Sequence, residues 1–416
     1  MALHKSLSFI SSFSVGVLFS TSAFAFCDPT ACTVTNFSGT PDAQIEAAID
    51  AAKTTTHKTV FFPNGTYDIT ENILFQDENV DLKIVGESDT GVILNYIPTP
   101  VSSSGGAYMP SVFNIGRGGG YTSFNLEISD LTIDMSELRS HSDYLCQAWC
   151  VVIHKPHQPG TNPPPPPATT SSAHAIRVGN GWHSGGLTVR NVRINNAGGY
   201  GIGIQTKGND VNADNVFIQN VHIENSGLDA IDTKSPDNRL NKNLTILDLY
   251  VSEVGQNDKV NAVGIDIRYD GFLVQGYTFT SQADVVSPAK GSGLVETVGI
   301  EVRSAAAPGD GAPEAAKNGG LRKLDIKNGN KGIFIDNNNS DIDVRIALVT
   351  GVQDYGVYVR NGNDIELRVG CSWDNGMGSV NITGDDTVDV VDLFAHTFIP
   401  QCPSSSDVGS SYRKDF

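Results

Sequence analysis

The sequence predicts an all-β chain wound into a right-handed parallel β-helix, with one helix capping its N-terminal end. Two observations carry that prediction. First, one short pattern recurs in Gly203–Lys207, Ala230–Lys234, Gly264–Arg268, Gly299–Arg303, Gly332–Asp336 and Gly356–Arg360. The last residues of these segments, 207, 234, 268, 303, 336 and 360, are separated by 27, 34, 35, 33 and 24 residues. Each segment alternates apolar and polar side chains, as a strand with one buried face does. One such strand every 20–50 residues is a solenoid signature. Second, the runs Leu187–Ile194, Val216–Ile223 and Leu244–Val251 alternate in the same way, and each precedes one of the short segments by a turn. About three short strands per coil fit a parallel β-helix better than a helical repeat.

Taken in order, the first 25 residues have the composition of an export signal. Lys5 supplies positive charge, Phe9 to Phe19 an apolar stretch, and Ala23-Phe24-Ala25 a small-x-small cleavage site. The chain is therefore expected to be secreted or periplasmic, with no membrane span. A single domain is expected over residues 26–403. Its cap is an amphipathic helix from Asp42 to Lys53, with Ile45, Ala48, Ile49 and Ala52 at helical spacing and Pro41 at its start. A capping helix covers a core edge that would otherwise be exposed. The stretch Thr59–Tyr67 reads as strand, turn and strand, and Leu82–Gly86 and Gly91–Asn95 as further strands. From residue 111 onward the chain is rung after rung, Phe124–Asp134 among them, with Asn and Gly at the turns where the backbone needs positive φ. Residues 139–172 interrupt the rhythm with Cys146, Trp149, Cys150 and the run Pro163–Pro167, which favours an extended conformation without ladder donors. This is expected to be an insertion projecting from one coil. Ala305–Gly320 reads as a second loop, and 404–416 as a flexible tail.

The 416 residues carry a formal net charge of -18, which disfavours nucleic acid as a partner. An anionic polymer remains compatible only where a local basic column or a bound cation overrides that field. The six cysteines of an exported chain favour disulfides. The close pairs are Cys27–Cys32 and Cys146–Cys150, which leaves Cys371 with Cys402, one of 15 possible connectivities. No nucleotide-binding or histidine-rich motif appears, so no organic cofactor is expected, and a monomer is expected.

Stacking the six segments predicts two adjacent exposed columns, one coil spacing (about 4.7–4.9 Å) between neighbours. One is Gln205, Asp232, Asp266, Glu301, Phe334 and Tyr358; the other is Lys207, Lys234, Arg268, Arg303, Asp336 and Arg360. Stacked carboxylates repel and raise one another's pKa. Lys234 and Arg268 neutralise them, a Ca²⁺ ion sits among them, or one carboxyl stays protonated as an acid. Asp229 and Glu224, at the turn before Asp232, extend the oxygen-rich group. If an ion takes up the carboxylates, the cations around Lys234 depress its pKa, making it a candidate general base. A salt-bridged solvated face is the plain alternative.

The capping helix, then Val60–Tyr67, then the long run of Asn/Gly-punctuated rungs, resembles the pectate-lyase-like superfamily of right-handed β-helix proteins. Within it, Asp229–Ser235 followed by Ile267–Gly271 is similar to the chondroitinase B and alginate lyase family, which places acidic calcium ligands before a Lys-Ser and an Arg on the following coil. The resemblance implies Lys234 as base and Arg268 as proton donor or partner of the substrate carboxylate. It implies Asp232 and Asp229 as calcium ligands, with Asp266 and Glu301 adding to that carboxylate group. Lys207, Arg303, Phe334 and Tyr358 are candidate substrate contacts, the two aromatics by stacking on sugar rings. The implied reaction is β-elimination on a uronate-containing polysaccharide such as alginate, pectate, a glycosaminoglycan or glucuronan. Pairing the uronate carboxylate with calcium or arginine stabilises the carbanion-like transition state while the base removes the neighbouring proton.

Other readings fit the same fold. A polygalacturonase-like hydrolase would use a carboxylate pair such as Asp232 and Asp266, although the chain has Asp385-Asp386 without a Gly-His-Gly or Arg-x-Lys motif. A uronan C5-epimerase shares proton abstraction and returns the proton to the opposite face. A non-catalytic carbohydrate-binding adhesin would use the same columns only to hold polymer.

Overall fold

The computed structural model describes residues 27–75, 80–97, 111–115, 122–137, 173–179, 182–205, 213–234, 240–255, 261–281, 285–286, 294–304, 314–336, 339–368, 371–373, 375–383, 388–390 and 412–414. The expected export signal, the 139–172 insertion, Lys207, Cys146, Cys150 and Cys402 lie outside these residues, as does the side chain of Cys371.

The strands assemble into a parallel β-helix. A 15-stranded sheet collects the long runs, such as Thr122–Asp134, Trp182–Asn195, Val216–Glu224, Asn241–Ser252 and Tyr269–Ser281. A 12-stranded sheet collects the short ones, in the order Ile73–Phe75, Ser111–Ile115, His174–Val178, Ile202–Gln205, Ile231–Lys234, Asn261–Ile267, Leu294–Val302, Lys331–Asp336, Tyr355–Arg360, Gly378–Thr383 and Tyr412–Lys414. Neighbours along each sheet are consecutive coils, and these pairings are parallel. Tyr412–Lys414, in the C-terminal segment, adds a strand beside Val380–Ile382.

Alternation decides which side chains enter the core. Ile231, Ile265, Ile300, Ile333 and Val357 point inward and are fully buried, each burial contributing about 1.5–3 kcal/mol. The glycine that opens the repeated pattern serves a close approach: a Cβ on Gly264 would lie 2.0 Å from Tyr277 Oη of the opposite sheet. The outer corner of the long runs is turned by Asp130, Asn191 and Asn220 in the left-handed region (φ 59, 52 and 49). Their side chains form a ladder, Asn220 donating to Asn191 and Asn191 to Asp130, each at 2.8 Å.

The helix Pro41–Lys53 caps the N-terminal end. Thr40 Oγ1 accepts the Ala43 N–H, Pro41 occupies the first turn, and Ile45, Ala48, Ile49 and Ala52 are buried against the first coils. Cys27 and Cys32 form a disulfide, as their spacing predicts. Among the described residues no helix is long and apolar enough to cross a membrane.

Candidate active site

The outer face of the short-strand sheet carries one ladder of matched residues. In register it runs Asn114, Arg177, Gly203, Asp232, Asp266, Glu301, Phe334, Tyr358 and Asn381. Two residues further along the strands, Gln205 pairs with Lys234 and Asp336 with Arg360. The predicted columns therefore hold from Asp232 to Tyr358, and Gln205 belongs to the second column instead of the first. The slip is two residues, which preserves the outward face while changing the neighbour.

The first column is not exposed as the alternation suggests. Asp232, Asp266, Glu301 and Phe334 are buried, at 0%, 2%, 4% and 9% exposure. Cations from the second column close over them. Lys234 Nζ lies 3.1 Å from Asp232 Oδ2, and Arg268 Nη2 donates to Asp266 Oδ2 at 2.7 Å. Arg303 bonds Glu301 and reaches Asp266 Oδ2 at 3.8 Å. Burial pulls Arg268 and Arg303 down, but the carboxylates beside them, Asp266 foremost, outweigh it and hold both guanidiniums above the usual arginine range. Neither can give up a proton. For Glu301, burial first of all, with Asp266 and Asp336 nearby, holds the pKa above the usual glutamate value despite Arg303.

Asp229, Asp232 and Asp266 each present an oxygen within 4.8 Å of the others'. Asp229 is held by the next coil, its Oδ1 accepting the Val263 N–H at 2.7 Å. Asp266 Oδ1 is buried and accepts no hydrogen bond among the described residues. A hard cation bound by oxygen fits such a trio. Glu301 stands one coil beyond it with its carboxylate taken up by Arg303, and Glu224 is exposed in the other sheet. Thr233, facing inward, pins the next coil: its hydroxyl donates to Asp266 O at 2.8 Å and accepts Arg268 N–H at 2.9 Å.

Two residues of the site were not anticipated, Tyr200 and His174. Gly203 has no side chain in the ladder, and the Tyr200 ring lies over it: a Cβ on Gly203 would meet Tyr200 Cδ2 at 3.1 Å. From there Tyr200 Oη accepts a hydrogen bond from Lys234 Nζ at 2.8 Å, and that nitrogen lies 5.1 Å from the ring centroid. His174 holds Tyr200 from the other side. The rings stack at 4.8 Å and 15°, and His174 Nδ1 accepts the Tyr200 N–H at 2.9 Å. Burial, with Arg177 and Lys234 nearby, keeps the His174 pKa well below 6.5, so the imidazole is neutral.

At the far end Phe334 stacks on Tyr358 at 5.0 Å and 13°, with Lys331 and Arg360 over its ring at 5.6 and 5.3 Å. Its faces are occupied, so of the two expected stacking aromatics the half-buried Tyr358 is the more accessible.

The fold has counterparts among solved structures. The mannuronan C-5 epimerase AlgE4 A-module of Azotobacter vinelandii superposes with a TM-score of 0.50 at 17% identity, over 84% of this chain and 80% of that one. PfbA, a surface adhesin of Streptococcus pneumoniae, gives a TM-score of 0.50 at 16% identity over 88% and 89%. No curated protein matches the sequence significantly. A family model, however, matches residues 39–275, more than half of the chain. The chain thus belongs to the rhamnogalacturonase A/epimerase, pectate lyase-like family.

Proposed function

We propose that this protein is an exported polysaccharide lyase that cleaves a uronate-containing polysaccharide by β-elimination. The observation that carries the reading is the placement of Lys234, a half-exposed amine held between a fully buried carboxylate and a tyrosine hydroxyl, with Arg268 on the next coil. Lys234 is the base that takes the proton beside the substrate carboxylate. Arg268, kept charged by Asp266 and Asp232, pairs with that carboxylate as negative charge grows on it. Of the two roles offered for Arg268 this leaves it the carboxylate partner, and the proton for the leaving sugar comes from Tyr200, whose hydroxyl meets Lys234 Nζ at 2.8 Å. Asp229, Asp232 and Asp266 are the residues that would hold a calcium ion, whose charge would stabilise the same developing anion.

Inverting hydrolysis suits this geometry less. The trio's oxygens converge within 4.8 Å, whereas an inverting glycosidase keeps its carboxyls roughly 6.5–9.5 Å apart to admit water. A C5-epimerase is the second reading, favoured by the Lys234–Tyr200 contact, because two proton-carrying groups allow removal and return of a proton.

The test incubates the mature protein and Lys234→Met with alginate, pectate, chondroitin/dermatan and glucuronan. Ultraviolet absorbance that rises with wild type and is lost in the variant supports elimination and names the substrate. Solvent deuterium entering C5 without unsaturated product supports the epimerase. New reducing ends without either would sink both.

A further inference from the structure

Where Lys234 and Arg268 leave their strands, the pairing between coils changes. On one side, Ile202–Gln205 pairs with Ile231–Lys234 as far as Gln205 and Lys234. On the other, Asn261–Ile267 pairs with Leu294–Val302 as far as Ile267 and Val302. Between the two middle strands the paired residues are Ile231 with Ile265 and Asp232 with Asp266. The next position sets Thr233 beside Ile267, and there the Thr233 hydroxyl stands in for the main chain. In a parallel ladder the N–H and C=O of one residue bond the residues flanking its partner. Here those flanking groups are the Asp266 C=O and the Arg268 N–H. The hydroxyl donates to the first at 2.8 Å and accepts the second at 2.9 Å. Thr233 is fully buried, so water does not compete for either bond.

The Arg268 main chain depends on that hydroxyl. Arg268 alone separates the strands Asn261–Ile267 and Tyr269–Ser281, whereas residues 235–240 and 303–316 make the same turn on the neighbouring coils. On its far side Tyr269 is anchored in the core, its Oη donating to Ala213 O at 2.7 Å. The corner is therefore clamped from both sides, by Thr233 on the preceding coil and by Tyr269 along the chain. A β-branched side chain is restricted at χ1, so threonine holds its hydroxyl in place better than serine can. We infer that Thr233 is the positioning residue for Arg268: its hydroxyl holds the two strands apart and fixes the main chain from which the guanidinium reaches the substrate carboxylate beside Lys234. The inference rests on the lyase reading given above.

The experiment measures steady-state turnover and melting temperature on whichever of alginate, pectate, chondroitin/dermatan and glucuronan the wild-type protein turns over. Thr233→Val keeps the shape and removes the hydroxyl. Its kcat is expected to fall by about ten- to a hundredfold with KM moved by less than about threefold, as for an interaction made in the transition state. Thr233→Ser restores the hydroxyl and should recover kcat to within about threefold of wild type. Thr233→Cys, a weak donor and acceptor of similar volume, should fall between them and replaces the valine variant if that protein does not fold. Arg268→Lys keeps the charge and loses the planar fork. In that background, adding Thr233→Val should change kcat by less than about twofold, whereas a residue with only a structural role would cost the same in both. Turnover lost in Lys234→Met but untouched by Thr233→Val, a serine variant as slow as the valine one, or an equal loss in the Arg268→Lys background would each overturn the inference and leave the lyase reading standing. Turnover unaffected by Lys234→Met, or absent on every polymer, would remove both.

Discussion

Acidification is expected to loosen the Tyr200 corner of the site through His174. This imidazole is 2% exposed, accepts the Tyr200 N–H at 2.9 Å and stacks on its ring. Burial is the largest reason its pKa lies well below 6.5, and Arg177 and Lys234 add to it. The sign follows from linkage. Below pH 6.5 the unfolded histidine takes up a proton that the folded one refuses, so stability is lost as the pH falls from 6.5. Each pH unit below that point costs about 1.4 kcal/mol, hence about 2 kcal/mol by pH 5 while the folded imidazole stays neutral. His174→Asn keeps an acceptor for Tyr200 and removes the proton site. Because a solenoid can open locally, the assay is hydrogen exchange at the Tyr200 amide, corrected for intrinsic rate, at pH 7, 6 and 5 in both proteins. His222, whose pKa is also lowered by burial and by Arg193, is common to both and cancels in the comparison. Wild-type protection should fall by about 2 kcal/mol relative to the variant across that range. Parallel curves, or a His174 resonance titrating at or above pH 6.5, would refute the reasoning.

Three further outcomes are expected. Gly203→Ala places a Cβ 3.1 Å from Tyr200 Cδ2, so the ring must shift by a few tenths of an ångström; turnover should drop by about tenfold with little change in melting temperature, and unchanged turnover would detach Tyr200 from the chemistry. Asp266→Asn leaves Arg268 and Arg303 short of a carboxylate in a site where Arg268 is 11% exposed; a loss of about 3 kcal/mol is expected in thermal unfolding, and a neutral result would mean the cations relax into solvent. Calcium at a hundred times its Kd should stabilise the protein by about 2.7 kcal/mol, an effect removed by Asp229→Asn or Asp232→Asn. A melting temperature indifferent to calcium would leave Lys234, Arg268 and Arg303 as the trio's counter-charge among the described residues.

Some of the site was in plain view in the sequence but assignable in two ways. Gly201-Ile202-Gly203-Ile204-Gln205 contains the Gly-Ile pattern twice in succession. Choosing the second copy aligned Gln205 with Asp232, whereas the ladder pairs Gly203 with Asp232 and Gln205 with Lys234. Ala175-Ile176-Arg177 repeats the opening of Ala230-Ile231-Asp232, so Arg177 was within reach of the same pattern. Tyr200 and His174 carried no such signal. Tyr200 lies just before the strand Ile202–Gln205, outside the repeat, and its ring enters the ladder where Gly203 leaves room for it.

Alone, the sequence determined the winding into coils, the capping helix, the inward isoleucines and the stacking of Asp232, Asp266 and Glu301, because period-two alternation and turn residues act over a few neighbours. Tertiary structure decided the register at Gly203, the burial of the carboxylates under Lys234, Arg268 and Arg303, and the convergence of Asp229, Asp232 and Asp266 within 4.8 Å. The physical reason is that a slip of two residues leaves every side chain on the same face. Only hydrogen bonding between coils tells one such register from the next, and only that register sets which charges meet.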